Sequence, residues 1–286
     1  MARDMKDFIE NMPNPDAIFR SWWPILIAVG TGVIYALRTW LRGPKCVGGR
    51  KLNGKTAVVT GANSGIGKAI AMEFARREEQ HLHLLVNNAG VNMCPEAKTS
   101  DNFELQLGVN YLGTFLLTEL LLDKLRASAP SRIINTSAAA ANLGEINFDN
   151  ISLTGQYSPG TAFAQSKYAV LLYTLHLSER LKETQVTVNA VNPGVVNSKA
   201  HRHMPFKNNS FIRISFGPFV WFLMKTCEDG AQVTIFCATA EELEGVSGKY
   251  FKDCQEVKLD EQKTSKELQE KLYKATLQWT KMEKGD

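Results

Sequence analysis

The sequence has few cysteines, and their spacing argues against two classes of protein. The five are an odd number and lie far apart, with no C-x-x-C pair and no histidine at a metal-ligand interval: Cys46, Cys94, Cys227, Cys237 and Cys254. A disulfide-stabilised small protein has a dense, even set of cysteines, and a zinc site has paired ligands. We therefore expect neither a disulfide scaffold nor a metal site.

A strong excess of one charge is also lacking. The 286 residues include 33 Lys and Arg against 29 Asp and Glu, a formal net charge of +4. So small a surplus gives no reason to expect nucleic acid as a partner. With 44% hydrophobic and 22% charged residues, the composition is that of a globular protein that buries a full core.

One run near the N-terminus has no charge at all. Its seventeen residues, Ser21 to Leu37, are just enough for a helix to cross a bilayer. Basic residues follow, and the positive-inside rule would keep that side in the cytosol: Arg38, Arg42, Lys45, Arg50 and Lys51. The sequence thus predicts a tail over residues 1–20 and a membrane anchor helix over residues 21–42. A buried or peripheral helix is the alternative.

Short apolar runs alternate with helical patterns in the rest of the chain. Strand-like runs lie at Lys55–Thr60, Leu82–Val86, Arg132–Asn135 and Val186–Val191, with helical patterns around Phe103–Leu125 and Ala162–Leu181. This alternation predicts an α/β fold with a doubly wound parallel sheet. We expect a linker over residues 43–54, the α/β domain over residues 55–256, and a C-terminal helix and tail over residues 257–286.

The C-terminal helix is predicted from its cap and its apolar face. Thr264 and Glu267 have the spacing of a capping box. An apolar stripe at helical spacing follows: Leu268, Leu272, Ala275 and Trp279. Such a stripe favours a helix that packs on the domain.

A glycine-rich turn follows the first predicted strand. Residues 61–67 read GANSGIG, and an amphipathic stretch follows. In such a strand–turn–helix unit, backbone N–H groups approach a pyrophosphate at the helix N-terminus. Alone, the motif could also be an ordinary turn. Further motifs follow later strands or lie in helices: Asn87-Asn88-Ala89-Gly90, Asn110, Ser137, Lys167 and Pro193-Gly194.

Together these motifs resemble the short-chain dehydrogenase/reductase family, specifically its retinol dehydrogenase branch, from residue 54 to about residue 252. The resemblance implies a Rossmann-like fold and an NAD(P)(H)-dependent oxidoreductase that interconverts retinol and retinal or similar lipophilic alcohols and carbonyls. By motif, catalysis would rest on Ser137, Lys167 and Asn110. The cofactor would contact Gly61, Asn63, Ser64, Gly65, Ile66, Gly67, Asn88, Ala89, Gly90, Lys167, Pro193 and Gly194.

The same resemblance sets expectations for cofactor, partners and location. It favours NADP over NAD, a lipophilic small-molecule substrate and a membrane-bound protein, and it allows a homodimer. The endoplasmic reticulum, with the domain in the cytosol, is the favoured location, and the mitochondrial inner membrane is the alternative.

The sequence departs from the family at the catalytic tyrosine. The family pattern Y-x-x-x-K is here Phe163-Ala164-Gln165-Ser166-Lys167, which keeps the aromatic ring but has no hydroxyl. A general acid or base contributes roughly 10²–10⁴ in rate, so we expect an impaired enzyme. Tyr157 and Tyr168 are the nearby tyrosines, and Tyr157, in the loop before the helix, is the better substitute.

A second departure is a missing block. Only 20 residues separate Gly67 from Asn87, whereas the family places two further strands and two helices there, on the order of fifty residues more. The junction lies near Arg77 and Glu78, and the lost part includes the residue that distinguishes NAD from NADP. We expect weakened cofactor binding and reduced stability. A non-catalytic binding or scaffold protein and a nonfunctional isoform are therefore alternatives to an oxidoreductase.

The missing block also changes the topology. In the intact family fold, the first helix leads from strand one to a strand on one side of it. Here the first helix must lead to the strand on the other side. A right-handed connection in that direction would need the first helix on the opposite face of the sheet. Left-handed crossovers occur in only about 2% of cases. We therefore expect either a moved helix or a rare connection, with strand one as an exposed edge.

The stretch Phe211 to Met224 is apolar outside any predicted strand. The resemblance implies a substrate lid there, and a core helix is the alternative.

Overall fold

The chain divides into two compact units, Met1–Arg42 and Gly43–Asp286. The computed structural model describes residues 22–46, 55–62, 66–67, 69–70, 82–198, 200 and 222–282. In the first unit, helix α1 (Trp23–Arg42) is 20 residues long. Most of its described side chains are exposed, including Ile25, Leu26 and Ile27. Its segment Pro24–Arg42 has a mean hydropathy of 1.5 and is long enough to cross a membrane.

The second unit contains a six-stranded sheet with the strands in sequence order. They are β1 (Thr56–Val59), β2 (Leu82–Asn87), β3 (Ser131–Thr136), β4 (Val186–Asn192), β5 (Tyr250–Lys252) and β6 (Gln255–Glu256). Strands β1 to β5 are parallel, and β6 pairs antiparallel with β5. Strand β4 is buried along its whole length, as expected for a parallel sheet covered on both faces. The predicted doubly wound parallel sheet is confirmed.

Helices cover both faces of this sheet. On one face, α2 (Gly113–Ala127) and α3 (Pro159–Arg180) pack against alternate strand residues such as Leu85 and Ile133. On the other, α4 (Cys227–Thr239) packs against their neighbours Leu84 and Ile134. This alternation follows from the two-residue repeat of a strand. Leu105–Ala127, which includes α2, is also long and apolar enough to span a membrane, but half of its 18-residue apolar window is buried, which is typical of a core helix.

The helical turn that follows β1 lies on the face of α4. Ile70 is fully buried in the α4 cluster, and Ile66 Cδ1 lies 3.4 Å from the position a Cβ would take at Gly230 of α4. Helices α2 and α3 carry the chain across the sheet in sequence order on the opposite face. A right-handed connection in that same direction would lie on the face of α2 and α3, and the described turn is not on that face. Residues 71–81, which lead into β2, lie outside the described residues.

Strand β1 is the edge of the sheet that the described residues form. It pairs with β2 on one side, and within the described part of the chain no strand pairs with its other side. The expectation of an exposed first strand is therefore met.

The C-terminal helix α5 (Lys266–Trp279) packs on the domain, but the predicted capping box is wrong. Ser265 is the N-cap, and its Oγ accepts a hydrogen bond from the Leu268 N–H at 3.3 Å. The Thr264 hydroxyl instead donates to the Asp260 carbonyl at 2.9 Å. The buried face of the helix contains Leu272 and Thr276, and the Thr276 hydroxyl is 2.6 Å from the Tyr111 hydroxyl. Of the predicted stripe, Leu272 is buried and Leu268 and Trp279 pack against the core, and Ala275 is half-buried.

Helix α4 and the β5–β6 hairpin were not predicted from the sequence. A capping box between Thr226 and Asp229 begins α4. The two hairpin loop residues, Asp253 and Cys254, both have positive φ, 53° and 59°, as in the tight loops that match the twist of paired strands. Of the apolar stretch Phe211 to Met224, residues 211–221 lie outside the described residues.

Candidate active site

Four of the motifs lie at one edge of the sheet. Gly61 follows β1, Asn88 to Gly90 follow β2, Ser137 follows β3, and Pro193-Gly194 follow β4. Because these strands are parallel, their carboxyl ends share one edge. Ligands of open α/β sheets bind at that edge. The fold therefore brings the predicted site residues that follow strands to one place.

The glycine turn packs closely, at Gly61 and Gly67, against the loop after β2. A Cβ at Gly67 would lie 2.4 Å from the Gly61 oxygen and 2.6 Å from Asn88 Nδ2, and a Cβ at Gly61, where φ is +70°, would lie 3.1 Å from Ala89 Cα. The Thr60 hydroxyl oxygen accepts hydrogen bonds from the Asn88 and Ala89 N–H groups, each at 2.9 Å. No larger residue fits this cradle without movement. The predicted contacts Asn63, Ser64 and Gly65 lie outside the described residues.

Asn110 lies in a π-helical turn, Gly108–Leu112, just before α2. Its Oδ1 accepts from the Val91 N–H at 2.8 Å. Its Nδ2 donates to the Val91 carbonyl at 3.0 Å and to Ser166 Oγ at 2.9 Å. One amide therefore fastens the loop after β2 to helix α3. Single π-helical turns are frequent at functional sites.

Lys167 is almost completely buried in α3, with 5% of its surface exposed. Its Nζ donates to the Thr136 carbonyl at 2.8 Å, and it lies 3.5 Å from the position a Cβ would take at Gly90. Burial lowers the pKa of Lys167 to about 8. The ring of Phe163, one turn earlier, has its centroid 5.9 Å from Nζ. The lysine thus has a cationic head beside an aromatic ring without a hydroxyl.

Ser137 joins β3 to α3 and β4. Its hydroxyl donates to the Lys167 carbonyl at 2.8 Å, and its N–H donates to the Val191 carbonyl at 2.8 Å. Because the hydroxyl proton is used in this bond, the oxygen offers its remaining lone pairs to a ligand. Ser137 and Asn110 are therefore both hydrogen-bonded to α3, the helix that contains Lys167.

Neither nearby tyrosine takes the place of the missing hydroxyl. Tyr157 Oη donates its proton to the Cys94 carbonyl at 2.6 Å and accepts from Gln106 Nε2 at 3.2 Å. Tyr168 Oη donates to the Lys263 carbonyl. Burial raises the pKa of Tyr157 and of Tyr168. Both hydroxyls are engaged elsewhere, and burial disfavours ionisation of either one.

A buried polar network under the site was not predicted. Asn87 Nδ2 donates to Asn135 Oδ1 at 2.8 Å and to Thr118 Oγ1 at 2.9 Å. Asn135 Nδ2 donates to Thr174 Oγ1 at 3.0 Å. The network joins β2 and β3 to α2 and α3. Its one signal in the sequence is an asparagine near the end of each strand, and the two are partners in the parallel register.

Lys225 contacts the turn after β4. Gly194 has a φ of +80°, and a Cβ there would lie 3.3 Å from Lys225 Cε. The Lys225 ammonium forms an ion pair with Asp253 of the β5–β6 hairpin.

Among the described residues, no group of three His, Cys, Asp or Glu side chains could hold a metal ion.

Comparison with known proteins identifies relatives over most of the chain. A family model described as short chain dehydrogenase matches residues 71–208. Retinol dehydrogenase 13 of Homo sapiens is 40% identical, over 79% of this chain and 85% of the relative. Retinol dehydrogenase 11 of Mus musculus is 40% identical, over 77% and 84%. Retinol dehydrogenase 12 of Homo sapiens is 38% identical, over 83% and 90%.

Solved structures share the fold. An uncharacterized protein from Mycobacterium Paratuberculosis matches with a TM-score of 0.66 and 25% identity, over 84% of this chain and 98% of that chain. An angucycline C-6 ketoreductase with bound NADP matches with a TM-score of 0.53 and 22% identity, over 71% and 95%.

The alignment with the human retinol dehydrogenase 13 also bears on the missing block. It extends over 281 positions, whereas 79% of 286 residues is about 226 residues, so about 55 positions have no counterpart in this chain. The block predicted to be absent has that size.

Identity at this level over this length is sufficient to assign a family. The chain belongs to the short-chain dehydrogenases, a family of NAD(P)-dependent oxidoreductases, and within it to the retinol dehydrogenase branch.

Proposed function

We propose that this chain is a membrane-attached NADP(H)-dependent oxidoreductase for retinoids or similar lipophilic alcohols and carbonyls, with catalysis limited by Phe163. The observation that carries the proposal is the arrangement of Ser137, Lys167 and Asn110 at one edge of the sheet. The exposed apolar surface of α1 and the names of the relatives support the membrane and the lipophilic substrate. We propose the endoplasmic reticulum, with the domain in the cytosol, because basic residues follow α1.

The described part of the cofactor cradle fits a dinucleotide phosphate. Gly61 and Gly67 let the turn pack closely on itself and on Asn88 and Ala89, which supports the tight glycine turn that brings backbone N–H groups close to a pyrophosphate in dinucleotide-binding folds. A bound NAD(P)H supplies a hydride. Around it, Lys167 contributes a positive charge, Ser137 orients an alcohol or carbonyl oxygen, and Asn110 holds the loop after β2 against α3.

The proton that accompanies the hydride has no evident donor at residue 163. In a Y-x-x-x-K site the lysine cation favours the ionised form of the tyrosine. Here the same cation faces a hydrocarbon ring. We infer a rate roughly 10²–10⁴ below that of a chain with the hydroxyl.

A non-catalytic binding protein is the second candidate, and the same residue favours it. Phe163 preserves the ring while removing the acid–base group, so a ligand would still find Ser137 and the apolar ring. In this case the nucleotide or the lipophilic molecule would bind without turnover.

A thermal melt tests the proposal at its first step. The full chain in detergent is heated with and without saturating NADPH or NADH, and binding to the folded state must raise Tm. We expect a small shift, larger with NADPH. Gly67→Ala is the matched control, since its Cβ would lie 2.4 Å from the Gly61 oxygen, and it should melt without a shift. A cooperative melt of the unsubstituted chain with no shift would contradict the proposed cofactor and leave a protein that binds only the lipophilic molecule.

A further inference from the structure

Two cysteines far apart in the sequence meet at the surface of the second unit. Cys46 Sγ and Cys254 Sγ are 3.2 Å apart, and both residues are half-buried thiols. A disulfide bond is about 2.0 Å long, so the sulfur atoms need to approach by little more than one ångström. The two cysteines are 208 positions apart, so no spacing pattern in the sequence predicts this pair.

Both cysteines are held in place by local structure. The Cys46 N–H donates to Gln232 Oε1 at 2.8 Å, and its thiol lies 2.8 Å from the Gln232 carbonyl, so α4 fixes it twice. Cys254 is in the two-residue loop of the β5–β6 hairpin, where the strands on both sides fix its position. The closeness of the two sulfur atoms therefore follows from α4 and the hairpin together.

The two thiols differ in environment. The hydrogen bond with Cys254, together with burial, raises the pKa of Cys46. The hydrogen bond from Cys46, with a further contribution from Lys225, lowers the pKa of Cys254. Thiolates, not thiols, attack disulfides, so Cys254 is the better first nucleophile.

We propose that Cys46 and Cys254 form a redox-active dithiol that a small-molecule disulfide such as glutathione disulfide converts to an intramolecular disulfide. The Cys254 thiolate attacks one glutathione sulfur, forming a mixed disulfide and releasing one glutathione. Cys46 then loses its proton and attacks Cys254 Sγ, which releases the second glutathione. The two protein thiols lose two electrons and two protons in total, and glutathione disulfide is reduced to two glutathione thiols.

The other cysteines are poorer candidates. Cys94 and Cys237 are each 1% exposed, and burial raises the pKa of Cys237. Cys227 is half-buried, and its thiol lies 3.7 Å from the Asn197 carbonyl. The disulfide would tie the segment that follows α1 to the hairpin next to Lys225, the residue that contacts Gly194.

Peptide mapping tests the proposal directly. The full chain in detergent is incubated with glutathione disulfide, alkylated, and digested with trypsin, which releases Cys46 in CVGGR and Cys254 in DCQEVK. We expect these two peptides joined, with a mass two hydrogens below their sum, and a higher Tm for the oxidised chain. The joined peptide should be lost in Cys46→Ser and in Cys254→Ser and retained in the matched control Cys227→Ser.

Two results would overturn the proposal. One is separate glutathione adducts on Cys46 and Cys254 without the joined peptide. The other is a joined peptide that forms as readily when the chain is unfolded in urea, since the folded geometry would then contribute nothing. Neither outcome depends on the catalytic role proposed above.

Discussion

Phe163 differs from tyrosine by one oxygen atom, and that atom determines what Lys167 can contribute to catalysis. By the sequence motif Phe163 takes the place of the tyrosine, and its ring centroid lies 5.9 Å from Lys167 Nζ. We expect Phe163→Tyr to increase the rate of retinal reduction with NADPH by roughly 10²–10⁴, measured as kcat in detergent. The hydroxyl would gain a nearby cation that favours its ionised form.

Phe148→Tyr is the matched control for this substitution. It adds the same oxygen to a ring that contacts Lys271, and it should leave the rate unchanged. A rate in Phe163→Tyr equal to that of the unsubstituted chain would contradict the assignment of the catalytic position.

Lys167 makes stability depend on pH in a defined window. Its folded pKa, about 8, lies below the usual 10.5, so between these values the unfolded chain binds more protons and stability rises with pH. Below pH 8 both states are protonated, and the cost of the buried cation is fully present. At about 1.4 kcal/mol per pKa unit this cost is at most about 3.5 kcal/mol.

Lys167→Met provides the measurement. Because the variant has no amine, its free energy of unfolding should fall relative to that of the unsubstituted chain as pH rises from 7 to 9.5. Urea unfolding of both chains gives the difference, in which contributions of other titrating groups cancel. A difference that does not change with pH would show that Lys167 has an ordinary pKa.

The motifs predicted the main residues of the candidate site, but not what holds them. Ser137 and Lys167 are recognisable because each has a fixed position after a strand or in a helix. The double hydrogen bond of Asn110 to residue 91 depends on a π-helical turn, which no residue pattern here indicates. The contact of Thr118 with Asn87 joins positions 31 residues apart, and only the packed fold determines it.

At the scale of elements, the start of α5 shows how a local pattern can point to the wrong residue. Thr264 and Ser265 are both residue types that cap helices, and the N-cap is Ser265, which accepts from Leu268. We expect Ser265→Ala to lower the free energy of unfolding by about 1 kcal/mol. Thr264→Ala, the matched control, removes only an exposed hydrogen bond and should have the smaller effect. Equal losses in chemical unfolding would contradict the observed cap.

The central strands were predictable and the last ones were not, for a physical reason. Strands β2, β3 and β4 are buried on both faces, so each is an apolar run that the sequence makes evident. Strand β5 has three residues and β6 has two, too few for a repeat to be recognised. Helix α4 is buried around much of its circumference, and such a helix has only a weak amphipathic pattern.

At the scale of the molecule, we infer that the missing block is the reason why β1 lies at the edge of the described sheet. Inserting the corresponding residues of human retinol dehydrogenase 13 between Arg77 and Glu78 would supply strands to pair with β1 on its other side. We expect tighter NADPH binding and a higher Tm, measured by fluorescence titration and a melt. A Gly/Ser insert of equal length is the matched control, because it remains a flexible coil and should improve neither. Equal affinity in all three chains would show that the block does not support the cradle.

The edge position of β1 also affects how easily this strand opens locally. Among the described residues, its four residues pair with β2 only. Segments with few hydrogen bonds open locally at low free-energy cost. The Gly61 turn is attached directly to the end of this strand, so any nucleotide that fixes the turn must also fix β1. The affinity of this chain for a nucleotide therefore depends in part on the free energy of local opening of β1.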